Sequence, residues 1–507
     1  MLQPYRIAAI IAISASSATA DTHAKSYPTY SDIVYGYVAP TCTVSDSEFA
    51  GWSQLSGTDT KSIAPNSAAY AINSDCDFYK WAAQAFLWIT ETNQSSELVL
   101  QGDDFFTVGH VNTSTDPSYS RKLYPHDAST VPLPQLRTVK SGATIPTPQS
   151  NEEVGQAGGD AVLMTANGEL VFYELYVNSG LAYFNSYFNS NANPETMIQH
   201  FPSSAKEMDA VTKYIGDALP DGYDASQLTI EIKSSWVKAS TLPNADDYIT
   251  KMSVIPVIDT SSALPWHYDE STTETVKMAL LGMHVVGTIK DHPEFVWATF
   301  EHYQNAPSEP FYLIANDGTK SLQTNSLDKD YLLFNAGSEP APNYAHCLKF
   351  DATDNMIKAT SDNQQSYCSS NFANVIRRAP WGNLANDPSE QTITQNTMLV
   401  SLNNSIRSQL TTNAVSDVRS NYIQTGNIWS DPIAPSKTAP IPDSAGTYAT
   451  DLSGGLLAAN MTMETFTQGT NCFSCHSVHG VGGSSFASGA LSHIFADIEP
   501  ISLPASQ

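Results

Sequence analysis

The 507-residue chain predicts an α+β fold: a mainly antiparallel, β-rich body with several helices, followed by a short helical C-terminal segment. Strand-like runs joined by short turns, helical apolar spacing in other stretches, and the absence of any repeat of solenoid period carry that prediction. The first helix is "NSDCDFYKWAAQAFLWITE", where Phe78, Trp81, Ala82, Ala85, Phe86 and Trp88 fall at helical spacing behind Asp75, a candidate cap. "AVLMTANGELVFYELYV" places two alternating apolar runs around Asn167-Gly168, a strong hairpin signal. "LTIEIKSSWV" alternates Leu228, Ile230, Ile232 and Trp236 with polar residues, as a half-buried strand does.

"TVKMALLGMHVVGTIKDHPEFVWATFEHY" reads as two strands joined at Lys290–Pro293. With Ile289 opposite Glu294, His284 shares a face with Trp297, Thr299 and Glu301, and His302 lies on the other face. A slip of one residue would bring both histidines together. A long helix is expected around Thr394 to Gln424.

Residues 1–20 read as a secretory signal: Arg6, the apolar run Ile7 to Ile13 and the small-x-small end Ala18-Thr19-Ala20. The expected divisions are this signal, an α+β body over 21–429, a Pro/Ser-rich linker over 430–446 and a terminal segment over 447–507. A polar stretch from Ser141 to Gly159 is a further candidate loop or internal boundary. No later run is long enough to cross a membrane, so an exported protein is expected, most simply periplasmic. Deletion from Thr447 onward should, on this reading, leave a folded body.

The chain carries 24 basic and 51 acidic residues, for a net charge of −27. That balance argues against nucleic acid and anionic membranes, and favours a protein partner with a basic docking face. It also suits a merely solvated surface. There is no G-x-S-x-G, P-loop, H-E-x-x-H or dinucleotide fingerprint.

The strongest motif lies near the end. Cys472-Phe-Ser-Cys475-His476 is a C-x-x-C-H pattern, whose spacing lets two thiols add across the haem vinyl groups while the histidine reaches the iron. A redox C-x-x-C or half a zinc site are the competing readings. Both are weak, because there is no second C-x-x-C and no compact βαβ unit around it. The preceding "MTMETFTQGTNCFSCH" looks like a short helix running into the motif, with Met463 and Phe466 three residues apart. Met463 reads as packing more than as a ligand.

Four cysteines remain, Cys42, Cys76, Cys347 and Cys368, and permit three pairings. In an oxidising compartment the sequence-local choice is Cys42–Cys76 with Cys347–Cys368, against free buried thiols.

No methionine follows Cys475, so a sixth iron ligand must come from elsewhere. His479 would point from the same side as His476 on a continuing helix. His493, beyond the Gly/Ser-rich "HGVGGSSFASGALSH", can loop back, unless it is an ordinary polar residue of a short helix. His284 and His302 are the alternatives in the body, with satisfied sheet histidines as the plain reading. From Thr438 to Gln507 there is no lysine or arginine, so cations for the haem propionates must come from the body. Arg377-Arg378 is the densest basic spot and a candidate, although surface ion pairing would explain it equally.

Taken as a group, "FYKWAAQAFLWIT", "GELVFYELYVN", "LLGMHVVGTIKDHPEFVWATFEHYQNAP", "MTMETFTQGTNCFSCHS" and "LSHIF" resemble a family of exported bacterial proteins. These carry one C-terminal c-type haem motif after a large body unlike a cytochrome. The resemblance spans most of the mature chain. It implies one covalent haem c at Cys472 and Cys475 with His476 as proximal ligand, draws attention to His302 and His493, and implies no particular reaction.

Two functions follow as expectations. One is electron transfer by an exported monohaem c-type cytochrome, the haem packed against the body and a second strong ligand closing the iron. The other is a haem c-dependent oxidoreductase, peroxidase- or oxygenase-like, with an open sixth site under His302 or His284; the large body favours it, and the lack of a peroxidase-type distal pattern opposes it.

Overall fold

The computed structural model describes residues 25–501 apart from 57–58, 93–96, 111–120, 127–160, 190–197, 199, 221–222, 269–270, 341–346, 352, 361–373, 413–416, 431–451 and 477–490. The expected signal, the Ser141 to Gly159 stretch and nearly all of the expected linker lie outside the described residues.

A large antiparallel sheet forms the body, as the α+β reading required. Its strands are β1 (Phe105–His110), β2 (Arg121–Pro125), β3 (Phe172–Asn178), β4 (Ile230–Lys238), β5 (Thr250–Pro256), β6 (Thr273–Ile289), β7 (His292–His302), β8 (Tyr422–Ser430) and β9 (Leu452–Gly454). The order across the sheet is β9-β8-β7-β6-β4-β3-β1-β2, with β5 pairing the first half of the long β6. Of the two registers left open, the β6–β7 hairpin takes over most of its length the one that separates His284 from His302, with Gly282 opposite Glu301 and His284 opposite Thr299. Near the turn the ladder shifts and Ile289 faces His292 instead of Glu294. Asp291 (φ 65) and Phe295 (φ 71) take left-handed backbone there, which absorbs the shift.

Helix α1 (Asp75–Ile89) lies against one face of the sheet. Its start is fixed by Asp77, whose Oδ2 accepts the backbone N–H of Ser74 at 2.9 Å, so the capping residue is Ser74 and the expected Asp75 is already inside the helix. Phe78, Trp81 and Phe86 bury against Trp236, Val285, Phe300 and Trp429, joined by Leu399, Val400 and Leu402 of α4 (Glu390–Thr411). That last helix is shorter than expected. From Tyr422 the β-prone run "YIQTGNIWS" pairs with β7 as a central strand, and burial of both its faces outweighs helical spacing. β4 differs likewise: a strand expected to be half-buried is covered on both sides, and Ser234 and Ser235 are fully buried.

The Asn167-Gly168 turn is present, with Gly168 at φ 86 and its N–H bonded to Thr165 O. Its two arms then diverge. Phe172–Asn178 enters the large sheet, whereas Ala161–Val162 pairs with Leu348 and Lys349 in a smaller one.

The opposite sheet face is covered at one end by α2 (Ser179–Phe188) and α3 (Ala205–Ile215), and over β4, β6, β7 and β8 by the C-terminal segment. β9 adds an edge strand beside β8, and the chain then crosses the sheet. Gly282 and Gly426 allow the approach: a Cβ on Gly282 would lie 2.7 Å from the side chains of Asn460 and Thr462, and one on Gly426 2.7 Å from Ala458 Cβ.

Backbone bonds hold the crossing. Glu301 Oε1 accepts the N–H of Met461 at 2.9 Å while Oε2 pairs with Arg377 at 2.9 Å, both side chains being buried. Asn460 Nδ2 donates to Thr299 Oγ1 and Phe300 O, and Tyr173 OH donates to Thr462 O at 2.6 Å. Residues 461–470 form successive turns and not the helix expected, because the Asn460 and Thr465 side chains bond neighbouring backbone and compete with helical pairing. Met463 and Phe466 are buried packing residues.

The Cys42–Cys76 disulfide is formed, and Cys347 is disulfide-bonded; its expected partner Cys368 lies outside the described residues. No described helix is long and apolar enough to cross a membrane.

The described part of 447–507 is therefore a layer of the body, and the body should not survive without it. A chain ending at Ser430 would expose Val286, Trp297 and Ile428 and leave Glu301 and Arg377 without part of their cover. It should bind a hydrophobic dye and lose cooperative urea unfolding; a sharp transition near that of the full chain would contradict this layering.

Candidate haem-attachment site

Helix α5 (Cys472–Cys475) is a single turn, capped by Asn471, whose Oδ1 accepts the N–H of Phe473 at 2.8 Å. The turn closes with the N–H of His476 on Cys472 O at 2.8 Å. Phe473 is buried beside Trp297 and Leu491, which fixes the direction of the turn against the sheet. The side chain of Cys475 lies outside the described residues.

The His476 ring is held from several directions. Nδ1 lies 2.8 Å from Leu491 O, and a carbonyl can only accept, so Nδ1 carries the proton and Nε2 keeps its lone pair. Trp297 of β7 lies 4.3 Å from the ring by centroids, and His493 stacks on it at 3.9 Å with planes 15° apart. Desolvation first, then the neighbouring His493, push its pKa well below the usual histidine range, so the ring stays neutral at physiological pH.

Two rows of sheet residues lie beneath. Val177, Glu231, Val286, Trp297 and Ile428 are cross-strand neighbours in one, and Leu175, Lys233, His284, Thr299 and Gly426 in the next. Glu231 bonds Ser492 Oγ, and burial pushes its carboxyl up to about 7 against the opposing pull of Ser492, Arg121 and Lys233. His284 Nε2 pairs with Glu464 at 2.9 Å. Burial acts to raise the Glu464 pKa, but His284 and the backbone N–H of Asn460 outweigh it and hold the carboxylate ionised. Lys233 stands within electrostatic reach of Glu231, Glu464 and His476.

These residues fit a c-type haem. A histidine that binds a metal generally gives its other ring N–H to a carbonyl or carboxylate, and His476 does so while staying neutral. Among the described residues no group of three or more His, Cys, Asp or Glu side chains forms a preformed metal cage. Haem c needs none, since its thioethers and macrocycle hold the iron.

Of the candidate residues, the fold brings Cys472, His476, His493 and His284 to one sheet face. His302 lies on the other face, fully buried and stacked 3.8 Å from Tyr248, with Nε2 facing Asp247 O. It cannot stand over the motif. The two arginines are engaged elsewhere: Arg377 with Glu301 and Ser308, and Arg378 with Glu309 while its N–H bonds Gln468 Oε1. Both anchor the approach to the motif. Lys233 is a cation within electrostatic reach of it, and lay unremarked in an alternating strand. Trp297, Glu231, Glu464 and the Leu491 carbonyl were also missed. The β6–β7 register could have flagged Trp297, but no pattern announces a backbone acceptor.

No protein-family model, curated protein or solved structure matches the chain.

His302 provides a test independent of the haem. Burial pushes its pKa down to about 3, while the unfolded chain titrates near about 6.5. Between those values the unfolded state binds the extra proton, so stability should fall as pH drops, by up to about 5 kcal/mol across the whole interval and about 3 kcal/mol by pH 4. His302→Phe, which keeps an aromatic against Tyr248, should flatten this slope in urea titrations from pH 7 to 4; an unchanged slope would assign the acid sensitivity elsewhere.

Proposed function

We propose that this is an exported monohaem c-type protein that transfers electrons, with haem held through Cys472 and Cys475 and iron ligated by Nε2 of His476. The observation that carries the reading is the Nδ1 bond of His476 to Leu491 O, which leaves a neutral ring with its second nitrogen ready for a metal. When bound, haem c supplies a one-electron couple. The chain's own contribution is to fix the proximal ring between the turn of α5 and the sheet, to exclude water with Phe473, Trp297 and Leu491, and to offer Lys233 to a propionate.

Export fits the Cys42–Cys76 disulfide and the N-terminal signal pattern. The acidic surface suits a redox partner with a basic docking face.

A second reading, a haem c-dependent oxidoreductase with an open sixth position, is favoured by one observation. None of the histidines weighed for that position and described here is poised to bind: His493 is stacked on His476, His284 is paired with Glu464, and His302 is across the sheet.

Produced with a c-type maturation system, the protein should retain haem through acid-acetone extraction, and Cys472→Ala with Cys475→Ala should abolish retention. Extractable haem, or none, would overturn the assignment. A ferrous spectrum indifferent to CO would favour the electron carrier, and ready CO binding the oxidoreductase.

A further inference from the structure

On the haem reading above, we propose that His493 is a positioning residue that locks the orientation of the proximal His476 ring, and is not the sixth iron ligand.

The argument begins with ring geometry. The two imidazoles stack at 3.9 Å between centroids with planes 15° apart. The lone pair of an imidazole nitrogen lies in the ring plane. A metal ion taken by Nε2 of His476 therefore lies in the plane of that ring. The lone pairs of His493 lie in a nearly parallel plane displaced from it, and are not aimed at that ion. Two rings ligating one iron from opposite faces would point nitrogens at each other, which is not the stacked arrangement.

The chain around His493 is built to hold this arrangement. Leu491 O accepts Nδ1–H of His476, so one short segment both bonds the ring edge and covers a ring face. Ser492 Oγ bonds Glu231 of β4 and accepts the N–H of Phe495 at 3.2 Å. Phe495 O accepts from Asn185 Nδ2 of α2 at 2.8 Å. Leu491, Ile494, Phe495 and Ile498 are all buried in the apolar layer that contains Phe473. Turning His493 across the haem would require this clip to come off the sheet. Trp297 contributes a further contact to the His476 ring, which has little freedom to rotate about its Cβ–Cγ bond.

An axial imidazole's rotation sets how its π orbitals meet those of the iron, so the clip controls the electronic character of the haem without touching the metal. His493→Phe preserves a flat ring at this half-buried position and cannot ligate; His493→Ala removes the stack. With covalent haem first established in the wild type by acid-acetone extraction, the test is the absorption and low-temperature EPR spectra of the ferric proteins. The proposal expects His493→Phe to keep the wild-type spin state and g-values, and His493→Ala to keep the spin state with broadened or shifted g-values. If both variants change spin state alike, His493 is a ligand and the proposal is wrong. If neither changes anything, the stack positions nothing and the proposal is equally wrong. Absence of covalent haem in the wild type would sink the functional reading, and this inference with it. Should a variant fail to fold, nitrogen ENDOR on the wild type and on His284→Gln decides: a second coordinated imidazole in both would overturn the proposal, and a single one supports it.

Discussion

The structure depends on one constraint: the sheet face carried by β4, β6, β7 and β8 must be covered, and the described residues 452–476 and 491–501 cover it. The buried pair Glu301–Arg377 is the clearest expression of this. Glu301 spends one oxygen on Arg377 and the other on the backbone N–H of Met461, so a charge pair inside the protein is completed only when the C-terminal segment is in place. Buried pairs of this sort add little net stability, yet losing a partner leaves an uncompensated charge worth about 3–5 kcal/mol, which fixes where the segment can lie.

From that placement the site follows. Once Met461 and Thr462 are pinned over β7 and β4, α5 arrives above Trp297, and the returning segment from Leu491 closes over it. The sheet contributes Trp297, Lys233 and His284 because their positions in register put them under the motif. The motif itself contributes Cys472 and His476. On the proposed haem reading, the sheet supplies the floor and the charge beneath the motif, and the segment from Leu491 closes over it.

Much of this was legible in advance. Helix α1 and the two strands of the β6–β7 hairpin followed from apolar periodicity, but two registers stayed open, and the structure takes the one that sets His284 with Trp297 and apart from His302. What misled was locality. Composition around residues 430–446 suggested a linker, and with it a body able to fold without the terminal segment, while the contacts that bind the segment join residues well over a hundred positions apart, such as Tyr173 with Thr462. Arg377-Arg378 stood out as a basic spot, but a pair of buried or half-buried acids, Glu301 and Glu309, claims them. Lys233 stood alone in an alternating strand and gave no signal. The helix read from Thr394 to Gln424 ran on because helical spacing can persist into a buried strand, where tertiary pairing decides.

Hydrogen–deuterium exchange of the protein, read by mass spectrometry, tests the central claim most directly. If the C-terminal segment is a layer of the body, peptides spanning 455–470 and 491–498 should be protected to the same degree as β6 and β7, exchanging only with global unfolding. Exchange of those peptides within seconds, with the sheet still protected, would show a tail that does not dock, and the site described above would not exist.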